Sequence, residues 1–276
     1  MAGGFRVREQ KFICGKDYAT AETMQVDFFE ITEQQHKAST RKKKELASSI
    51  AKEAYNFRQS GRYLELLIQS NFHRTDYSVT YTYDNDHLPA PGDMERVDKD
   101  FSAAMKKLYR MCDKAGITHP GWAEVAEYTT YIDGKWVGRH HHHIVMQHTE
   151  GLTREMVEKA WGDRGMARCE PLHFDHGYIT SLAKYIVKNV RCKRHWRQSR
   201  GLKPHKMPRP NDGKMSRGKL KDVCENRLED RAFWEKMYPG YTLHYCEPII
   251  TGNSTRHLIV RLYRKETGMK NRRNQP

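Results

Sequence analysis

Between about residues 32 and 68, Leu46, Ile50, Ala54, Phe57, Leu64 and Ile68 recur mostly at three- and four-residue steps, a spacing that gathers them on one face of a helix with Gly61 as its weak point. The period then changes. Tyr77-Ser-Val-Thr-Tyr-Thr-Tyr83 alternates and is rich in β-branched and aromatic side chains, which predicts a strand closed by Asp84-Asn85-Asp86. Residues 97–115 return to helical spacing, with Val97, Phe101, Ala104, Leu108 and Met111 on one stripe and Gly116 as the stop. Two strands are expected at about 121–131 and 137–147, joined across Asp133-Gly134, a hairpin signal. A helix at 152–161, a short strand at 166–172 and a helix at 178–190 complete a β-α-β-β-α-β-α order.

This order predicts an α+β fold: a central antiparallel sheet of the split βαβ kind, with helices packed on one face. Residues 1–70 form a basic helical N-terminal extension in this reading, and 71–200 the core. Residues 201–265 supply an exposed basic linker, a helix near 222–237, and two strands, Tyr241 to Cys246 and His257 to Tyr263, added to the same sheet. A disordered basic tail, 266–276, ends the chain.

Charge narrows the partners. Forty-nine Lys and Arg against 34 Asp and Glu leave a net charge of +15, which points to a polyanion. No apolar run reaches signal-peptide or membrane-span length, so a cytosolic protein without a membrane partner is expected. The six cysteines include no C-x-x-C pair and read as ordinary thiols rather than a zinc knuckle or a disulfide framework.

The most informative segment is Arg139-His140-His141-His142-His143-Ile144-Val145-Met146. On a strand His141 and His143 face one way and His140 and His142 the other, so one pair of imidazoles is placed to share a metal ion. If the hairpin loop is Asp133-Gly134-Lys135, Ile132 pairs with Trp136 and Glu127 lies opposite His141 on the same face; a two-residue turn would oppose Glu127 to His140 instead. Glu124 ranks second as the carboxylate because it falls on the other face. In the helix expected at 178–190 the apolar stripe leaves Ser181, Tyr185 and Lys188 outside it, with Tyr185 and Lys188 three residues apart. A phenol needs activation to act as a nucleophile at neutral pH, and a divalent cation on a phosphate ester supplies part of it. Imidazole ligands favour Mn²⁺, whereas abundance favours Mg²⁺. No phosphate-binding G-x-x-x-x-G-K-[ST] loop is present, so any duplex unwinding falls to a partner.

Across roughly residues 66–200 these motifs resemble the HUH endonuclease superfamily, in particular rolling-circle replication initiators of bacterial plasmids and small single-stranded DNA phages of the gokushovirus type. The 77–83 strand with His87-Leu88-Pro89 is similar to the family's first motif, the His141 and His143 run to its metal motif, and Ala183-Lys184-Tyr185-Ile186-Val187-Lys188 to its tyrosine motif. The resemblance implies an RRM-like sheet, Tyr185 as nucleophile, and His141, His143 and Glu127 as ligands for Mn²⁺ or Mg²⁺. It implies nicking at a single-stranded origin with a covalent 5′-phosphotyrosine, and a free 3′ hydroxyl extended by a host polymerase beside a host helicase. Ser181 stands where some members carry a second tyrosine, which implies a single-tyrosine enzyme; Tyr178 is a weaker helper. Lys188 would stabilise the phenolate or a phosphate oxygen. Arg139, Lys184, Arg191, Arg194, Trp196 and Arg197 are the expected DNA contacts. Two other readings stay open: a non-catalytic single-stranded nucleic-acid-binding protein, with Trp196 for stacking, and a transposase of the same superfamily.

Overall fold

The computed structural model of the chain describes residues 5–32, 49–128, 131–132, 135–136, 138–175, 178–179, 196–250 and 256–265. The fold is α+β with antiparallel sheets. It divides into two compact units, Leu46–Asp175 with Ile179–Pro204, and Met1–Glu45, His176–Tyr178 and His205–Pro276.

The first unit carries β3 (Tyr77–Tyr83), α2 (Met94–Ala115), β4 (Trp122–Tyr128), β7 (His140–Met146), α3 (Arg154–Trp161) and β8 (Gly165–Pro171), preceded by α1 (Ser49–Asn71). The predicted order of strands and helices is therefore present up to, but not including, its last helix. With the short β11 (Arg197–Gln198) the strands run β11-β4-β7-β3-β8, all neighbours antiparallel. Along β3, Tyr77, Val79, Tyr81 and Tyr83 point to one face, where they pack on Phe101, Ala104 and Leu108 of α2 and on Val157, Ala160 and Trp161 of α3. Trp161 is fully buried, stacked on Tyr81 at 4.9 Å, and its indole N–H donates to the Thr82 carbonyl at 3.2 Å, so a large apolar side chain is buried without stranding its polar atom. Local chemistry bounds the helices: Asp93 and Thr153 accept from the N–H groups of Arg96 and Met156, and Gly116 ends α2 in the left-handed region.

Helices do not lie on one face only. On the opposite face Leu64, Leu67 and Ile68 of α1, with Phe72, pack against Ala123, Val125, Val145, Leu172 and Ile179. The helix expected from residue 32 is described from Ser49 onward and runs through Gly61 to Asn71. At the other end Tyr178 and Ile179 are extended, so the helix expected at 178–190 does not begin at 178; residues 180–195 lie outside the described part.

The second unit corrects the domain reading. Phe5–Cys14 and Thr23–Thr32 are strands, β1 and β2, where a helical extension was expected. The C-terminal strands β12 (Tyr241–Ile250) and β13 (Arg256–Arg264) do not extend the core sheet: β13 pairs with β2, giving a separate sheet in the order β1-β2-β13-β12. One face of it, with Met24, Val26, Phe28, Leu258, Val260 and Leu262, is covered by α4 (Arg217–Asn226) and α5 (Arg231–Met237) through Leu220, Val223 and Trp234. The single helix expected at 222–237 is thus two, because Asp230 caps a new start by accepting from the Phe233 N–H at 2.9 Å. The basic stretch after Pro204 is mostly exposed, as expected, yet its backbone bridges to β1 at Glu9↔Asn211 and Ile13↔Lys206. Among the described residues no helix is long and apolar enough to cross a membrane, and the five described cysteines are free thiols.

Candidate functional site

The hairpin that carries the histidines holds a register shift. A short ladder, Tyr131↔Trp136 and Ile132↔Lys135, closes on the two residues Asp133 and Gly134. A turn of that length, continued without interruption, would set Glu127 against His140. In the sequence two residues separate Tyr128 from Tyr131 and three separate Trp136 from His140, so the two ladders differ in register by one residue. Gly138, at φ 141°, lies in the longer stretch. The long ladder pairs Glu127 with His141, the pairing predicted, although the short ladder pairs Ile132 with Lys135 and not with Trp136.

Glu127, His141 and His143 lie on the face that α1 partly covers, on the same side as Val125 and Val145. Glu127 Oε2 is 2.9 Å from His143 Nε2, both groups largely buried. His141 Nδ1 lies 3.0 Å from the Thr82 hydroxyl oxygen, which fixes its ring. Burial pushes both imidazoles below their ordinary value, with the Glu127 charge opposing in each case. Both are therefore neutral near pH 7, the form that binds metal.

The donors suit a divalent ion chemically, but only two of them are close. Ligands bound at about 2.1 Å and a right angle stand about 3 Å apart, the separation of Glu127 and His143. The rings of His141 and His143 have centroids 6.2 Å apart. Imidazoles sharing an ion at adjacent positions need ring centres about 5 Å apart, so His141 must swing inward to complete the set. Among the described residues, accordingly, no group of three His, Cys, Asp or Glu is arranged to hold a metal ion.

The other face of β7 carries a network that the sequence reading did not contain. His142 is fully buried; its Nδ1 lies 2.7 Å from Glu124, whose second oxygen accepts from Arg197 Nε at 2.9 Å. Arg197 also pairs with Asp98 at 2.9 Å and lies over the Phe101 ring. Burial works against the Glu124 charge, but His142 and Arg197 together hold its carboxyl below the ordinary range. Burial pushes the neighbouring His140 down to about 4.

Several expected DNA contacts are therefore engaged within the fold. Arg197 neutralises Glu124. Trp196 stacks on Tyr63, and its indole N–H donates to Ser60 at 2.9 Å. Arg139 donates to the Tyr83 carbonyl at 2.8 Å and to the Asn85 side chain. Tyr178, the weaker candidate for a second nucleophile, is buried, stacks on His244 and donates to the carbonyls of Met24 and Leu262. Tyr185, Lys188, Lys184, Arg191, Arg194 and Ser181 lie outside the described residues.

No family model matches the chain, and neither curated proteins nor solved structures yield a match.

Proposed function

We propose that this chain is a metal-dependent endonuclease and strand transferase of the HUH rolling-circle initiator type, which nicks single-stranded DNA at an origin and keeps the 5′ phosphate on Tyr185. The observation that supports this reading most is the strand register that sets Glu127 opposite His141 and His143 within hydrogen-bonding distance of Glu127, all on one face. The order β-α-β-β-α-β, with the first strand inside a four-strand antiparallel run β4-β7-β3-β8, is compatible with a split βαβ sheet and supports the same reading. The net charge of +15 suits a polyanionic substrate.

In this proposal Glu127, His141 and His143 hold the Mn²⁺ or Mg²⁺, and Thr82 orients His141 through its other ring nitrogen. The bound ion would draw charge from the scissile phosphate and orient it. Tyr185 supplies the nucleophilic oxygen and Lys188 a counter-charge, roles that rest on the resemblance of their motif. The departing 3′ hydroxyl would prime a host polymerase, with unwinding left to a host helicase. A non-catalytic nucleic-acid-binding protein is the second reading, favoured by the direct Glu127–His143 bond and by the lack of a three-ligand group among the described residues.

Labelled single-stranded DNA carrying candidate origins, incubated with Mn²⁺ or with chelator, separates the two. The expected result is an SDS-resistant protein–DNA adduct that needs the metal and disappears in Tyr185→Phe while binding persists. An adduct that survives in Tyr185→Phe would refute the assignment of the nucleophile, and binding without adduct across a broad origin library would favour the second reading.

A further inference from the structure

At the β4–β11 edge of the core sheet lies a pocket of about 610 Å³, walled by Trp122 and Trp196 and lined by Phe101, Met105, Arg197 and Ser102. We infer that this pocket binds one unpaired nucleobase of a single-stranded nucleic acid, a docking point separate from the Glu127–His143 face. The inference rests on the reading of single-stranded DNA as the substrate.

Both indoles are only half-buried, and their N–H groups are already used: Trp122 donates to the Tyr109 hydroxyl and Trp196 to Ser60, each at 2.9 Å. What they offer a ligand is ring surface, with one face of Trp196 already stacked on Tyr63. Phe101 meets Trp122 edge-on at 4.9 Å and supports it from below. A groove for a proline-rich peptide needs donors toward peptide carbonyls, and here the indole donors are engaged. A base needs only a ring to stack on. Arg197 also lines the pocket, its charge balanced by Glu124 and Asp98.

Exposed cations stand close to the lining residues in the sequence. Lys99 and Lys106 flank Ser102 at helical spacing on α2, and Arg200 follows Gln198 by two residues; all three cations are exposed. Aromatic faces together with neighbouring cations are the pairing that single-strand binders use, and a base still stacked in a duplex cannot enter such a pocket.

The test is photocrosslinking of a single-stranded oligonucleotide bearing 5-iodouracil to the full chain in chelator, followed by peptide mapping. The expected result is crosslinking to Trp122 or Trp196, absent with the matching duplex. Ser102→Phe should fill the pocket, abolish the crosslink and weaken binding about tenfold. Gln198→Trp blocks the same opening from the strand side and serves if Ser102→Phe does not fold. Crosslinks mapping only outside the pocket, unchanged affinity in a folded blocking variant, or displacement of the oligonucleotide by a proline-rich peptide would each overturn the inference. Because the assay omits metal, it separates from the nuclease reading. A metal-dependent adduct without pocket crosslinks sinks the pocket alone, and pocket crosslinks without any adduct sink the nuclease alone.

Discussion

Thr82 makes one contact that matters to the proposed chemistry, the 3.0 Å approach of its hydroxyl to His141 Nδ1. A partner of this kind fixes the tautomer and aim of a ligand histidine, and its loss typically weakens metal binding about 10- to 100-fold. Thr82→Val keeps the β-branched shape, so Mn²⁺ affinity measured by calorimetry should fall by that factor while the melting temperature stays close to that of the parent. His140 carries a pH signature. In the unfolded chain an imidazole takes up a proton below about 6.5, whereas burial holds it neutral in the fold down to about 4. Between those values the unfolded state binds more protons, so stability falls as the pH drops through this window and levels off below it. His141 and His143 are pushed in the same direction. The slope is therefore shared, and thermal melts from pH 7 to 4 should show His140→Phe with a shallower decline than the parent.

At the scale of elements, β7 presents two faces that do different work. Glu124 joins β4, β7 and β11 through His142 and Arg197, a fully buried carboxylate between two partners. Removing one charge from such a set leaves another without compensation, at about 3–5 kcal/mol, whereas replacing a whole set with apolar groups is often neutral. Glu124→Gln should lose stability on that scale in urea unfolding, and Glu124→Met with His142→Phe and Arg197→Met should recover much of it. This network also shows where the sequence stops being readable. Alternation revealed which histidines share a face, and it put Glu124 on the back of the strand. It could not reveal that Arg197, 73 residues away, would be consumed there instead of facing DNA. The pairing of Glu127 with His141 was legible only in outcome, since the one-residue difference in register between the two ladders follows no simple count. The strand β2 was legible as well, since Met24-Gln25-Val26-Asp27-Phe28 alternates apolar and polar residues; what the pattern does not show is that Gln25 and Asp27 are buried too, or that its partner is β13 and not the core sheet.

For the whole molecule the net charge of +15, taken with the proposed single-stranded DNA substrate, predicts a salt law. A protein that neutralises several phosphates releases their counterions, and for a single strand the logarithm of affinity falls with log salt at about 0.7 per phosphate. Binding of single-stranded DNA between 50 and 300 mM salt should therefore be steep, and Lys99→Glu with Lys106→Glu should reduce the slope by more than one. Fluorescence anisotropy reads both, and a flat salt response in the parent would remove the electrostatic part of the reading.

The pairing of β2 with β13 brings together residues such as Asp27 and His257, 230 positions apart, joined at 2.9 Å. The β1–β2 hairpin can form from local contacts, but the inner edge of β2 is filled only by a strand some 230 positions further along, so closing the four-stranded sheet is a long-range and comparatively slow event. Until β13 docks, Met24, Val26 and Phe28 stand on an open strand, an edge that a second chain can pair with or a protease can cut.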